Sequence, residues 1–294
     1  MHAPFKTVGL VGRSQQDGIV PVLRELLSLL AHRDLEVMLE EPLGELLPDL
    51  GARLANREEI GQEADLVIVV GGDGSLLSAA RTLSKYEVAV LGVNRGRLGF
   101  LTDISPDEVS EQVPQVLDGN YERESRFLIE AHVRRGGEDI GSALALNDVV
   151  VNSGTSAQMI ELELYINDVF VNRQRADGLI VSTPTGSTAY SLSGGGPIMH
   201  PTLDAVVLVP MYPHALSSRP IVVDGSSEIR IDVLDRNRIH PPVTCDGQVN
   251  MTARPGDSVY IKKSPYRLTL LHPIGHSFYA SCRDKLRWSS ALGN

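Results

Sequence analysis

Asp65–Leu77 reads DLVIVVGGDGSLL. Leu66, Val67, Ile68, Val69 and Val70 form a short unbroken apolar run, the pattern of a strand buried on both faces of a parallel sheet. Gly71-Gly72-Asp73-Gly74 interrupts the run, and from Ser75 the sequence predicts a helix. A strand that ends in a glycine turn and feeds a helix is where open α/β sheets bind phosphate. Glycine lets backbone N–H groups approach the anion, and the helix N-terminus adds positive dipole. Asp73 stands inside this turn, where a carboxylate repels phosphate unless it has another task. Two such tasks are holding a metal and accepting a proton from an attacking hydroxyl. A tight βα turn that uses Gly and Asp for their backbone habits fits the local spacing equally well. Two familiar phosphate loops are excluded. No Gly-Lys pair occurs, so there is no GxxxxGK[ST] loop, and Gly72-x-Gly74-x-x-Leu77 lacks the third glycine of the dinucleotide fingerprint.

Towards the N-terminus, Thr7–Val11 predicts a strand closed by Gly12-Arg13-Ser14. Asp17 is placed to cap the next helix, with Pro21 in its first turn and Val22, Leu23, Leu26, Leu27 and Leu30 as its apolar stripe. Leu35–Leu39 reads as a second strand, and Glu41–Glu63 as turn-rich, then helical. Val88–Leu91 reads as a fourth strand, and the alternation predicts a parallel sheet with right-handed crossovers. The next loop, Gly92–Leu101 (GVNRGRLGFL), lies on the edge where such sheets bind ligands. Its glycines and arginines suit a nucleotide, yet the local pattern favours a turn with solvated charges. Ser105-Pro106-Asp107-Glu108 is a capping box with Pro at the first helical position, and Asp118-Gly119-Asn120 ends that helix. The first domain is expected to span 1–120.

From Ser125 the period becomes alternating, which predicts a mainly antiparallel β domain, sandwich-like, over 121–274. Gly136-Gly137, Asn167-Asp168 and Asp246-Gly247 are hairpin signals. Strands are expected at Ile160–Ile166, Leu179–Ser182, Ala205–Val209, Glu228–Leu234, Ser258–Lys262 and Arg267–Leu271. A tail over 275–294 contains a possible helix from His276 to Trp288. Arg175–Ile198 (RADGLIVSTPTGSTAYSLSGGGPI) is the most unusual stretch of this half. Small hydroxyl residues between glycine turns suit ribose and phosphate, and the flanking apolar strand weighs that reading above a flexible surface loop. Asn147-Asp148 interrupts an apolar run, either as a tight turn, which local evidence slightly favours, or as a ligand pair. Asp177-Gly178 offers the same alternatives.

Composition narrows the class. With 294 residues, 42% hydrophobic and 22% charged, the chain has room for one large or two ordinary globular domains. A net charge of −10 argues against nucleic acid held by bulk electrostatics. Cys245 and Cys282 are too few for a disulfide framework or a thiolate zinc site, and the absence of HExxH or a close Cys/His cluster argues against a tightly held transition metal. No apolar stretch is long enough to span a bilayer, and the start of the chain lacks a signal-peptide pattern, so a cytoplasmic protein without membrane or nucleic-acid partners is expected.

GGDGSLL, NRGRLGFL, ALNDVV, DGLIVSTPTGSTAYSLSGGGPI and CDGQ occur in this order across nearly the whole chain, and the set resembles the bacterial NAD kinases. GGDG alone is shared with lipid kinases and, loosely, with 6-phosphofructokinases; the DGLIVSTPTGSTAY segment is far more specific. The resemblance implies an N-terminal Rossmann-like α/β domain, a C-terminal β-rich domain with an active site between them, a tail packing back on the first domain, and a homo-oligomer (dimer or tetramer). It implies ATP-dependent phosphorylation of the 2′-hydroxyl of the adenosine ribose of NAD, with Mg²⁺, and Asp73 as general base. Gly71, Gly72 and Gly74 would lie beside the phosphates, and Gly74 beside NAD as well. Asn147 and Asp148 would hold nucleotide hydroxyls and base edges. Arg175, Asp177, Thr188, Ala189, Tyr190, Ser191, Leu192 and Ser193 would line the dinucleotide pocket, some from a neighbouring subunit, with Gln248 a further contact. Ser75 stands where many members have Thr, and Gly194 where Ala is common; hydroxyl and small size are kept. The rival readings are a lipid or sugar kinase with the same loop and a non-catalytic dinucleotide sensor.

Overall fold

The structure, a computed structural model, describes residues 5–14, 18–47, 52–96, 99–154 and 158–288. Contacts divide the chain into two units, Met1–Ser125 with Arg267–Asn294, and Arg126–Tyr266.

In the first unit, strands β1 (Thr7–Gly12), β2 (Glu36–Glu40), β3 (Arg53–Ala55), β4 (Leu66–Val70) and β5 (Ala89–Val93) alternate with helices α1 (Ile19–Ala31), α2 (Glu41–Gly44), α3 (Arg57–Glu63) and α4 (Asp73–Leu83), and α5 (Val109–Leu117) follows. The sheet order is β3-β2-β1-β4-β5, parallel throughout, and Thr269–Leu271 near the end of the chain add in parallel to Ala89–Leu91. β4 and β5 are buried at every position, which is why they read as unbroken apolar runs. The α1 stripe packs on this sheet through Leu23, Leu26 and Leu30. α3 starts on a capping box, with Asn56 Oδ1 accepting from Glu59 N (2.9 Å) and Glu59 Oε2 from Asn56 N (3.0 Å). Ser105 and Glu108 form the expected second box. The strand order reverses direction between β1 and β4, the switch point where such sheets take ligands. Arg13, just after β1, donates to the carbonyl of Gly74 just after β4 (3.1 Å).

Three details differ from expectation. β3 is a three-residue strand paired only to β2, too short to leave a periodic signal, so Val88–Leu91 corresponds to the fifth strand. α4 begins at Asp73 rather than Ser75, because the Gly72 carbonyl already accepts from Ser75 N (2.9 Å) and Leu76 N (3.3 Å). Gly18, with φ 79°, takes the cap position of α1, and Asp17 lies outside the described residues.

The rest of the chain supplies β6 (Tyr121–Arg135), β7 (Glu138–Ala145), β8 (Asp148–Asn152), β9 (Ile160–Ile166), β10 (Val169–Ala176), β11 (Gly178–Ser182), β12 (Ala205–Met211), β13 (Ile221–Asp224), β14 (Ile229–Val233), β15 (Pro242–Cys245), β16 (Val249–Thr252) and β17 (Ser258–Pro273). Helix α6 (Tyr190–Ser193) lies between β11 and β12, and α7 (Phe278–Leu286) follows β17. In the second unit, β10-β9-β14 and the first half of β17 form one antiparallel sheet, and β13-β12-β11-β8-β15-β16 form a six-stranded antiparallel one. A core of Ile129, Val149, Val151, Leu162, Leu179, Val181, Ile231 and Val259 is shared by these strands. Val150 and Ile180 face the other way, against Met199, Val207 and Val209, so β8 and β11 carry apolar residues on both faces. The Asn167-Asp168 and Asp246-Gly247 turns hold positive φ at both positions, the hairpin geometry those dipeptides favour.

The units divide between Ser125 and Arg126, inside β6 and where the sequence period changes, and between Tyr266 and Arg267, inside β17. The two strands expected at Ser258–Lys262 and Arg267–Leu271 are one. Pro265 falls between the stretch paired to β14 and the stretch paired to β5, where its missing N–H interrupts neither ladder.

Candidate active site

Asp73 is the first residue of α4, and a carboxylate at a helix N-terminus sits well in the field of the peptide dipoles. Its oxygens are held by the loop after β5: Oδ2 accepts from Phe100 N (2.9 Å), and Oδ1 from Leu101 N (3.1 Å) and Thr102 Oγ1 (3.4 Å). Thr102 Oγ1 also accepts from Asn94 Nδ2 (2.8 Å), and Asn94 Oδ1 takes the N–H groups of Arg95 (2.7 Å) and Gly96 (2.9 Å). A side chain on Gly99 would overlap the Asp73 carboxylate, so this position requires glycine. The Gly92–Leu101 loop is therefore a cradle for Asp73 as well as a turn that leaves Arg95 exposed, and Arg97 and Leu98 lie outside the described residues. Beside it, Gly71 adopts φ 153°, and the space where a Gly72 side chain would stand is open.

The loop continues to Asp103, whose carboxylate accepts from His272 Nδ1 at the end of β17; His272 Nε2 donates to Glu124 Oε2 (3.1 Å). A ring that donates from both nitrogens is an imidazolium. Burial opposes that charge, but the hydrogen bonds and charges of Asp103 and Glu124 outweigh it and raise the His272 pKa to about 9. His276 stacks on His272 with ring centroids 4.1 Å apart. Within the same unit, Gly275 N donates to Glu122 Oε1 (3.1 Å).

In the second unit the Asp246-Gly247 turn reaches the start of β8. Asp246 accepts from Asn147 N (2.7 Å), Leu146 N (3.2 Å) and Asp148 N (3.4 Å). Asp148 is buried, and burial followed by the charge of Asp246 pushes its carboxyl up to about 7. Near neutral pH it both donates and accepts. The Asn147 carbonyl takes Thr183 N (2.9 Å) and Ser182 Oγ (3.2 Å), and any side chain on Gly186 would strike it. Asn147 Oδ1 is buried without a hydrogen-bond partner in the described chain.

The hydroxyl-rich turn spends several of its own hydroxyls on the backbone. Thr183 Oγ1 donates to Leu146 O (2.5 Å), Ser187 Oγ to Pro184 O (2.6 Å) and Thr188 Oγ1 to Thr185 O (3.4 Å), while Ser187 Oγ accepts from Met199 N (2.9 Å). These hydroxyls build the turn that carries Ala189 and α6. Tyr190 and Ser193 of α6 then line a cavity of about 310 Å³ with Ile180, Gly194, Pro210, Met211, Tyr212 and Pro213. Ser191 Oγ is buried without a partner in the described chain, and Leu192 caps the turn through its N–H to Ala189 O (3.1 Å). Asp177 links β10 to β11, its N–H on Met211 O (2.9 Å). Gln248 closes the hairpin turn through its N–H to Cys245 O (3.0 Å). Arg175 is not brought to Tyr190; it lines a separate polar cavity of about 570 Å³ with Arg236 and Arg238. Phe100, Leu101, Thr102, Asp103 and His272 escaped the sequence reading of the site. Asp103 and His272 carry no local signal at all, because 169 positions separate them.

Among the described residues, one group of three His, Cys, Asp or Glu offers ligand atoms all within 4.8 Å of each other, Asp103, His272 and His276. Two imidazoles make this a poor site for Mg²⁺, which takes oxygen ligands. No helix among the described residues is long and apolar enough to cross a membrane.

A Rossmann-type sheet whose switch-point turn presents an anchored carboxylate, with a second unit carrying a polar pair and an aromatic-lined cavity, defines a phosphotransferase of the two-domain nucleotide type. A family model described as the ATP-NAD kinase N-terminal domain matches residues 8–121, and one described as the ATP-NAD kinase C-terminal domain matches 146–272. The chain belongs to the NAD kinase family. The NAD kinase of Chromohalobacter salexigens is 56% identical over 290 residues, 99% of each chain, and that of Teredinibacter turnerae is 57% identical over the same length. An NAD kinase from Archaeoglobus fulgidus solved in complex with ATP has a TM-score of 0.74 at 28% identity, covering 96% of this chain and 98% of that one. Yeast NADH kinase complexed with NADH shares the fold, with a TM-score of 0.88 at 23% identity over 99% and 93% of the two chains.

Proposed function

We propose that this enzyme transfers the γ-phosphoryl group of ATP to the 2′-hydroxyl of the adenosine ribose of NAD, giving NADP and ADP, with Asp73 as general base. A bond forms between the ribose oxygen and the γ-phosphorus, the bond from that phosphorus to the β–γ bridging oxygen breaks, and the hydroxyl proton passes to Asp73. The observation that carries this reading is the mounting of Asp73. Of roughly four lone-pair sites on a carboxylate, the loop engages two on Oδ1 and one on Oδ2, which leaves one on Oδ2 for a substrate hydroxyl. A loose phosphoryl-transfer transition state needs position more than base strength, and a carboxylate held by backbone N–H groups supplies position.

Asn147 and Asp148 hold nucleoside hydroxyls and base edges: the unpartnered Asn147 Oδ1 supplies an acceptor, and Asp148 supplies either role. Tyr190 stacks on a ring of the dinucleotide, and the open space beside Gly72 leaves room for phosphate. Mg²⁺ enters bound to the phosphates of ATP, offsetting their charge.

The test is incubation of purified protein with NAD, ATP and Mg²⁺, with NADP followed by an NADP-specific dehydrogenase. Asp73→Asn lowers kcat by about a thousandfold while calorimetry shows NAD bound as before. Near-normal kcat in that variant refutes the base; phosphorylation of a lipid or sugar with none of NAD refutes the substrate.

A further inference from the structure

Asp73 is placed by a loop, and the loop needs an anchor of its own. It leaves β5 at Val93 and returns at Ile104, where Asn94 N donates to Ile104 O (2.7 Å) and Val93 bridges Ile104. Between these points its amides grip Asp73, and Asp103, adjoining the gripping residues, runs into a buried charge. His272 is 2% exposed and occupies the end of β17, directly after the three residues that pair with β5. The charged and titratable groups around it are Asp103 on Nδ1, Glu124 on Nε2, and His276, stacked on its face with Nδ1 3.4 Å from Asp103 Oδ1. Glu122 stands one step out, held by the Gly275 amide.

We infer that His272 is a positioning residue for phosphoryl transfer, a buried cation that fixes Asp103 and through it the Phe100-Leu101-Thr102 segment that aims Asp73. The inference rests on the proposed role of Asp73. A neutral side chain at 272 removes the charge between Asp103 and Glu124, two half-buried carboxylates on opposite edges of the ring, and their repulsion is relieved most easily by moving the loop that carries Asp103. Movement of about 1 Å at the reacting group is enough to slow a positioned reaction by around a hundredfold. Sequence pattern could not show this link, because Asp103, Glu124 and His272 come from three separate stretches of the chain.

The experiment compares His272→Gln, Asp103→Asn, Asp73→Ala and the double variant Asp73→Ala/His272→Gln. The first two should lose roughly tenfold to a hundredfold in kcat with KM for NAD and ATP changed less than about threefold, and hydrogen exchange at the Phe100 and Leu101 amides should quicken. The double variant should be no slower than Asp73→Ala alone, since a residue that acts through Asp73 has nothing left to position. If His272→Gln fails to fold, Asp103→Asn carries the same comparison. Full kcat in folded His272→Gln or Asp103→Asn, or additive losses in the double variant, overturns the inference while the role of Asp73 stands. Full kcat in Asp73→Ala overturns the underlying reading instead. Stoichiometric zinc in the purified protein, lost in His276→Ala, also overturns it, because a metal and not an imidazolium would then hold Asp103.

Discussion

Asp73 and Asp148 are both carboxylates at the edge of a strand, and the two units treat them in opposite ways. Asp73 is surrounded by donors, two backbone amides and a hydroxyl from one loop. Asp148 is buried beside a second carboxylate, Asp246, which spends its own oxygens on the backbone of residues 146–148. The first arrangement fixes where a carboxylate points; the second sets whether it carries a proton. The proposed reaction uses both, Asp73 as a base held in position and Asp148 as a nucleoside grip able to donate as well as accept.

The sharpest way to break this contrast is Asp73→Asn, already expected to cost about a thousandfold in kcat with binding intact. Gly99→Ala comes next. Its methyl group would occupy the position of the Asp73 carboxylate, so kcat should fall by about a hundredfold while the Tm changes little; a normal kcat would mean that the loop does not aim Asp73.

Asp148→Asn tests the other side. The folded protein keeps the Asp148 proton up to about pH 7, whereas the unfolded chain releases it near 3.8. Between those values the folded state binds the extra proton, so this group makes stability fall as pH rises through the window. The variant should therefore gain in Tm over the parent at pH 8 and gain nothing at pH 4, with KM for NAD raised roughly tenfold. Equal Tm shifts at both pH values would show that Asp148 ionises normally. The smallest effect is expected from Ser187→Ala, which strands the buried amide of Met199 and costs about 1–2 kcal/mol in denaturant unfolding with kcat unchanged.

Strong local patterns survived the passage from sequence to structure. The apolar run before Gly71, the capping box at Ser105 and the hairpin dipeptides are decided within a few residues, so they can be read one at a time. Asp73 was legible because a carboxylate in a glycine turn is chemically out of place. What surrounds it was not: the Phe100 amide has no side-chain signature, and the Asp103–His272 pair exists only because β17 returns to lie beside β5. The Ser/Thr-rich turn was legible only in part. Its hydroxyl count suggested hydrogen bonds for a ligand, yet Thr183, Ser187 and Thr188 satisfy backbone groups, a distinction that depends on where each Oγ points.

β17 has a consequence for how the protein is made. Its first residues finish a sheet of Arg126–Tyr266, and its last residues finish the sheet begun by Thr7–Gly12. A ribosome releases the chain from the N-terminus, so the unit that begins with Thr7–Gly12 is completed only after Thr269–Leu271 have been translated. Until then β5 waits with a bare edge, and a nonsense mutation anywhere before Thr269 leaves that edge open to any other strand it meets.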